Sequence, residues 1–412
     1  MVISRGYVFR LKDDPVLMRI LASHAGMPRF LWNKVLEMNL TRLKGRQPLL
    51  WYQEMAFWLT VWKQSTEMEF LAEANSQCLQ QTLKHLDRAF RDAFDKNQPN
   101  KRIPTWKKRA DGDSFLVPQH FRFDGNRVLL PKIGWLRFYK SRQWQGIPKN
   151  ITVSRHGDRW FISIQTELEI PNPVHTSTSE VGIDMGISKF ATLSDATSYQ
   201  PLNSFRSLEE KLAKGQRELS RKVKCSSNWN KQLKRVQRTH CRIADARKDY
   251  LHKISTEISK SHAMIFMEDL RVSCMSRSAR GTVDNPGTHV AAKSGLNKAI
   301  LDQGWGAFRE MLQYKLVECG GVLVLVDPKH TSQRCSACGH VSSESRRSQS
   351  VFQCVACGIS LDADVNAALN ILAAGQAVLA CGEGGPLPSV KQGPAGKREL
   401  VPPQKHLGII AL

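Results

Sequence analysis

No apolar run in this sequence approaches the roughly 20 residues that a helix needs to span a bilayer. The longest, Gly321–Val326, suits one buried strand. The first residues, MVISRGYVFRLKDDP, lack the hydrophobic region of a signal peptide. A cytosolic chain that neither crosses nor enters a membrane is therefore expected. Acidic residues are scarce: 37 Asp and Glu face 60 Lys and Arg, a formal charge of +23. Concentrated positive charge repels itself unless a polyanion relieves it. Nucleic acid is the expected partner, and a solvated basic surface is the plainer alternative. Tyrosine is sparse as well, at six residues, and no internal repeat is evident.

Apolar residues are not lacking. They make up 41% of the 412 residues, with ten Trp and sixteen Phe, which argues against long-range disorder. At about 150 residues per domain, this length fits two to four domains. Six of the ten cysteines are scattered, namely Cys78, Cys225, Cys241, Cys274, Cys319 and Cys381. They read as reduced and mostly buried, with Cys225 and Cys381 in polar contexts.

The hydrophobic period changes along the chain. Ile3–Leu11 reads as one strand. A helical region follows, in which Leu79, Leu83, Leu86, Phe90 and Phe94 make one face, and Phe30, Leu31, Val35 and Leu36 another. Trp51, Trp58 and Trp62 read as core. After a basic linker at 97–110, alternating residues and the turns Asp124-Gly125-Asn126 and His156-Gly157-Asp158 predict an antiparallel sheet or barrel. The first strand could join it, making the helical region an insertion. Further on, VGIDMGISKFATLSD reads as a strand, a turn and a returning strand. Ala263–Met267 is a buried-type strand closed by Glu268, Leu296–Cys319 one amphipathic helix, Val322–Val326 a strand and Asp364–Ala374 a final helix. Between Phe205 and Lys253, 15 Lys and Arg against 5 Asp and Glu leave a surplus of ten without acidic partners one turn away. Phosphate contact is expected there, through Lys231, Lys234, Arg235 and Arg238, and at Arg102, Lys107, Lys108 and Arg109 of the linker.

Two constellations carry chemistry. Cys335-x2-Cys338-x15-Cys354-x2-Cys357 has the spacing of a closed four-thiolate zinc site, with Gly339 and Gly358 placed for the sharp turns. Four thiolates leave no open position, so the zinc is structural. The second constellation is Asp184, Glu268 and Asp364, carboxylates at the ends of apolar elements. Burying such groups is costly unless they are paired or bind a cation. Converging, they could hold two Mg2+ ions for phosphodiester hydrolysis. Taken singly, Asp184 also fits a turn, Glu268 a strand end and Asp364 a helix N-terminus. Asp195, Asp269 and Asp362 are equally acidic neighbours that position alone does not separate.

GIDMGISKFATLSD, FMEDL, LDQGWGAFREMLQYKL, HTSQRCSACGHV, FQCVACG and DADVNAALNIL together resemble the TnpB (OrfB) proteins of bacterial insertion sequences, relatives of the type V CRISPR effector nucleases. The resemblance extends upstream through SFLVPQHFRFDGNRVLLPKIGWLRF and ITVSRHGDRWFISI, and more weakly through FLWNKVLEMN. It implies an α/β multi-domain chain. A first wedge strand (1–13) would precede a helical recognition lobe inserted at 14–112, and a wedge β-barrel would follow at 113–176. A RuvC-like nuclease domain of RNase H type would cover 177–332, a zinc-ribbon insert 333–359, the last RuvC helix 360–376 and a flexible basic tail 377–412. It matches the three acids to Asp184, Glu268 and Asp364 rather than Asp362. It also implies a Mg2+-dependent, RNA-guided DNA endonuclease of the bacterial cytoplasm. Its partners would be a guide RNA from the transposon end and double-stranded target DNA beside a short transposon-adjacent motif, with a monomer on its RNA favoured. Two other readings compete. A catalytically silent RNA-guided repressor is disfavoured by retention of all three acids. A transposase that itself joins DNA strands finds no convincing nucleophile context among the six Tyr.

Overall fold

The computed structural model describes residues 1–109 and 112–380. The chain forms two compact units. The first comprises Met1–Val174, Leu202–Thr256 and Val317–Gly320. It opens with β1 (Val2–Arg10), followed by the helices α1 (Pro15–Lys44), α2 (Tyr52–Gln64) and α3 (Ser76–Phe94). Next come β2 (Ser114–Val117), β3 (Arg122–Asp124), β4 (Arg127–Leu130), β5 (Gly134–Arg137), β6 (Ile147–His156) and β7 (Arg159–Glu169). β1 pairs antiparallel with β7 from Val2 opposite Glu169 to Arg10 opposite Phe161. The sheet order is β1-β7-β6-β2, so α1–α3 are an excursion between two strands of one sheet. β3-β4-β5 form a separate meander that meets the first sheet at the bridge Leu11–Phe138. Alternation fills one core from both: Phe9, Leu11, Val128, Leu136, Phe138, Val153, Trp160 and Ile162 are all buried.

The excursion has its own core, built on Leu31, Val35, Leu36, Met55, Leu83, Leu86 and Phe90. Helix α1 starts where Asp14 accepts from the amides of Val16 and Leu17 and Pro15 opens the first turn. Buried Asn39 turns the chain after it, trading two hydrogen bonds of 2.8 and 3.1 Å with the backbone of Leu50. Of the three tryptophans, Trp62 is buried, whereas Trp58 is 37% exposed and Trp51 lies under the Arg91 guanidinium. Phe94 is likewise half exposed, stacked on Phe90. Asp113, almost fully buried, joins the start of β2 to α1 through an ion pair with Arg29 and to β6 through one with Arg155.

The helices α4 (Glu209–Ser220) and α5 (Ser227–Ser261) follow. The sequence reading runs one continuous segment over 177–332, but Leu202–Thr256 groups with the first unit. Leu212, Val236 and Ile243 close a small core of their own there, and Arg238 of α5 binds Asp158 of the β6–β7 turn at 2.6 Å.

The second unit comprises His175–Pro201, Glu257–Leu316 and the chain from Gly321. Its strands are β8 (Glu180–Met185), β9 (Ala191–Leu193), β10 (Ser198–Tyr199), β11 (Met264–Glu268) and β12 (Val322–Val326), in the order β10-β9-β8-β11-β12. The first three run antiparallel; β8, β11 and β12 are parallel. The short α6 (Val272–Met275) precedes α7 (Val290–Gln303) and α8 (Trp305–Cys319). The expected single helix over Leu296–Cys319 is thus two helices. Gly304, at φ 73°, takes the left-handed conformation and ends α7, while the apolar pattern resumes in α8. A small ribbon carries β13 (Val351–Gln353) and β14 (Ser360–Asp362), and α9 (Ala363–Ala380) closes the described chain. Helix α9 runs six residues past the expected Ala374, into the segment expected as tail; residues 381–412 lie outside the described residues. It is long and apolar enough to cross a membrane by length and composition, yet its apolar residues Ala367, Ala368 and Ile371 are buried in this unit.

Among the described scattered cysteines, all free, only Cys78 is buried, and burial pushes its thiol up to about 12. Cys225 and Cys274 are exposed. The expectation of mostly buried thiols fails because Cys241 and Cys319 sit at half-buried edges and Cys274 on the exposed α6.

Candidate metal and active sites

The four clustered thiols converge, all within 4.8 Å of one another. Two equivalent knuckles bring them together. In the first, Cys335 donates its N–H to His340 O and accepts from Gly339 N; in the second, Cys354 and Ile359 O, with Gly358 N, repeat the pattern. Gly339 and Gly358 have φ of 76° and 75°, where a side chain would be strained. The Sγ–Sγ separations Cys335–Cys357 and Cys338–Cys354 are 3.7 and 3.6 Å. A tetrahedron with Zn–S bonds of about 2.3 Å has edges of about 3.8 Å, so this donor set fits zinc. The backbone N–H groups of Cys357 and then Ala356 pull the Cys354 thiol down to about 6. Against the pull of the His340 backbone, burial and the neighbouring thiols push Cys338 up to about 12. The thiols thus share their protons, and a metal would have to displace the remainder. Cys335 and Cys354 are buried, Cys338 and Cys357 exposed.

The three acids reach one place by three routes. β8 and β11 are parallel, and their last register pair is Ile183–Met267. The next residues, Asp184 and Glu268, therefore stand side by side at the carboxyl ends of adjacent strands. Helix α9 supplies Asp364 from its first turn. It can lie flat on the sheet because Gly182 of β8 has no side chain: a Cβ there would be 2.7 Å from Leu372 N and would collide with Ala368 O. Farther along, Gly375 passes over Phe266, whose Cγ would be 2.5 Å from an added Cβ.

Burial raises Asp184 to about 7, and the charges of Glu268 and Asp364 push the same way. Arg346, from the loop between the knuckles, and the Met185 amide pull it back. Burial also raises Glu268, against a hydrogen bond from Thr331 Oγ1 to its Oε1 at 2.5 Å. Three carboxyl groups, two of them raised by burial, offer the hard oxygen donors that a divalent ion takes. The four cysteines are the tight ligand group found among the described residues.

The neighbouring acids part from this cluster. Asp195 accepts from Thr197 N in a turn, and Asp269 pairs with Arg309 at 2.7 Å. Asp362 caps α9, accepting from Asp364 N and Val365 N through Oδ1, while its Oδ2 takes Lys189 at 2.8 Å. Burial opposes its ionisation, yet the Lys189 bond and these amides hold it below the usual carboxylate range. Lys189 also lies 3.6 Å from Asp364. Lys189, Thr331 and Arg346 were not foreseen, because each meets its acid only through tertiary structure. The one available signal was a lysine inside the GIDMGISKF motif.

Lys231, Lys234, Arg235 and Arg238 form one exposed stripe of α5, beside the buried stripe of Gln232, Val236 and Thr239. Arg238 is committed to Asp158. The expected absence of acidic partners one turn away is not complete, since Lys253 pairs with Asp249 at 2.7 Å. Arg102, Lys107, Lys108 and Arg109 are exposed on a segment strapped to α1. Asn33 exchanges hydrogen bonds of 2.8 and 3.0 Å with the Lys107 backbone, and the Lys107 ammonium covers the Trp32 ring.

Residues 163–279 match a family profile described as "Probable transposase" (OrfB, IS605), and residues 305–371 match a "Cas12f1-like, TNB domain". Residues 1–47 match a profile described as a helix-turn-helix domain, although here they fold as β1 and the single long helix α1. The chain is 51% identical over 361 residues to the "Putative RNA-guided DNA endonuclease InsQ" of Escherichia coli (strain K12), covering 87% of this chain and 89% of that protein. It is 33% identical over 387 residues to a "Putative RNA-guided DNA endonuclease" of Streptomyces pristinaespiralis, covering 93% and 92%. Over 71 residues, 17% of each chain, it is 44% identical to the CRISPR-associated endodeoxyribonuclease Cas12f1 of Sulfoacidibacillus thermotolerans. At this identity over nearly the whole length of both proteins, the chain belongs to the OrfB/TnpB family of insertion-sequence proteins.

Proposed function

We propose that this chain is an RNA-guided DNA endonuclease of the bacterial cytoplasm, which binds a guide RNA from the transposon end and cuts double-stranded DNA beside a short adjacent motif. The names of its relatives support the reaction class. The observation that carries the reading is the cluster of Asp184, Glu268 and Asp364, with Asp184 raised to about 7 by burial and by the other two acids. The mixed sheet with acids at the carboxyl ends of two central parallel strands supports a RuvC-like, RNase H-type nuclease domain. The Cys ribbon is then its zinc insert, the sheets of the first unit the wedge, and α1–α3 the recognition insertion.

The chain's own residues would divide the work. Asp184, Glu268 and Asp364 would hold two Mg2+ ions, which supply Lewis acidity at the scissile phosphate and its leaving oxygen when bound. Lys189 holds Asp362 at 2.8 Å and reaches Asp364 only at 3.6 Å, which would leave Asp364 as the helix acid for the cation. Arg346 adds positive charge beside Asp184, where it would favour an anionic substrate. The exposed cations of α5 and of the strap would hold nucleic-acid backbone without reading sequence, which guide pairing does instead.

The test is cleavage of a guide-matched plasmid by the purified RNA complex, with Mg2+ and with EDTA. Asp184→Asn, Glu268→Gln and Asp364→Asn should each lower cutting by at least about 100-fold while target binding survives, since a lost ligand removes charge and geometry together. Asp362→Ala should be milder. Robust cutting by Asp184→Asn, or cutting that persists in EDTA, overturns the assignment. A wild-type complex that binds its target and never cuts establishes the silent repressor instead.

A further inference from the structure

The loop after β12 contains a buried hydroxyl that the reading above leaves unused. Thr331 is 7% exposed. Its Oγ1 lies 2.5 Å from Glu268 Oε1 and 3.2 Å from Pro328 O. A hydroxyl has one proton to give, and the shorter contact, to the carboxylate, has the length of a charge-assisted bond. The preceding residue, His330, is held at φ 62°, a conformation uncommon for a residue with a side chain. Two buried asparagines of α9 fix the same loop from behind. Asn370 Nδ2 donates to Thr331 O at 2.9 Å and to Arg334 O at 2.7 Å. Asn366 donates to Arg334 O at 2.8 Å and accepts from Ser336 N at 2.9 Å, inside the first knuckle.

This network clamps a loop onto one oxygen of one acid. With Oε1 occupied, the Glu268 carboxylate is held in one rotation, and no protein hydrogen bond to Oε2 is present among the described residues. We propose that Thr331 is a positioning residue for metal binding: it fixes Glu268 so that Oε2 faces the cation, and it ties that acid through Asn370 and Asn366 to the Cys335 knuckle. The inference rests on Glu268 being a cation ligand. A buried threonine that merely packed the loop would need no carboxylate partner, because Pro328 O already offers its hydroxyl an acceptor.

The experiment uses the full-length, zinc-loaded chain and Mn2+ as the probe, with binding followed by electron paramagnetic resonance. The Mg2+ concentration for half-maximal plasmid cleavage is measured in parallel on the guide-RNA complex. Thr331→Val keeps shape and removes the hydroxyl. It should weaken Mn2+ binding and raise the half-maximal Mg2+ concentration by about 10- to 100-fold, the usual cost of losing a group that orients a ligand. Thr331→Ser should stay close to wild type in both. Thr331→Ala, which adds no group to the site, is read by the same criteria if the valine variant loses zinc. Wild-type Mn2+ affinity in Thr331→Val or Thr331→Ala overturns the proposal, as does a serine variant no better than valine. Glu268→Gln separates the two levels: if it binds Mn2+ as wild type does, Glu268 is not a ligand and the underlying reading fails first.

Discussion

Replacing Gly182 by alanine probes how the third acid reaches the other two. The added Cβ would stand 2.7 Å from Leu372 N, 3.0 Å from Leu372 Cβ and closer still to Ala368 O. Ordinary contact begins at 3.4 Å, so α9 must retreat by at least 0.7 Å at Leu372. Two of the obstructing atoms are backbone and cannot swing aside. Overpacking of this kind costs about 1–3 kcal/mol. The upper half of that range is expected, because the retreat also loosens Ala367, Ala368 and Ile371, all buried in this unit. The same retreat carries Asp364, one turn before Ala368, away from Asp184. Misplacement by about 1 Å typically costs on the order of 100-fold in rate.

Gly182→Ala should therefore unfold at lower urea, by about 2–3 kcal/mol, and cut DNA about 100-fold more slowly with its zinc retained. Gly375→Ala should behave alike, since the Phe266 ring beneath it is fully buried and has nowhere to turn. Gly295→Ala is the control. It lies in α7 with nothing within 4 Å of a built Cβ, and should stabilise the chain by about 0.5–1 kcal/mol through helix propensity alone. Wild-type stability and cutting in Gly182→Ala, or an equal loss in Gly295→Ala, would refute the close-approach argument.

Metal analysis should find about one zinc per chain, and the Cys335→Ser/Cys354→Ser double variant should lose it together with stability; full zinc retention there would exclude a thiolate site. Replacing Lys231, Lys234 and Arg235 by Gln should weaken nucleic-acid binding for all sequences and flatten the log–log salt slope by about 2–3, whereas an unchanged slope would remove α5 from the interface. Without Mg2+, stability should fall as pH rises from about 4 to 7. The folded protein keeps a proton on Asp184 up to about 7, while the unfolded chain releases it near 3.8. The loss is on the order of 4 kcal/mol at most. Added Mg2+ should raise the melting temperature more at pH 8 than at pH 5, and a stability flat across that window would count against the buried cluster.

What the sequence made legible was local. Paired CxxC spacing predicts the knuckles because two thiols three residues apart close on one turn. The alternation around His156-Gly157-Asp158 predicts the β6–β7 hairpin because period-two burial is a property of the strand itself. The single-helix reading of Leu296–Cys319 failed for the complementary reason. The apolar pattern continues across Gly304, so periodicity hides a break that one backbone conformation imposes. Leu202–Thr256 was assigned by its neighbours in sequence, while its own small core and the Arg238–Asp158 pair decide where it packs.

The choice between Asp362 and Asp364 shows why the acidic site was only half readable. Two residues apart, at the junction of β14 and α9, they are chemically alike. Their fates diverge because a helix start leaves amides unpaired, and a carboxylate just before it takes them. Asp362 spends Oδ1 on two such amides and Oδ2 on Lys189, which arrives from the β8–β9 turn 173 residues away in sequence. Asp364, inside the first turn, keeps only a longer 3.6 Å contact with the same lysine and adds its charge at the strand ends, where it raises Asp184. A helix start thus sorts two equivalent acids, one into a cap and one into a cluster. The sorting holds only while α9 keeps its register on the sheet. That register is set at Gly182 and Gly375 and, at the other side of the first turn, by Asn366 and Asn370 on the Cys335 knuckle. The Cys cluster, outside the sheet, is in this sense part of what aims the third acid.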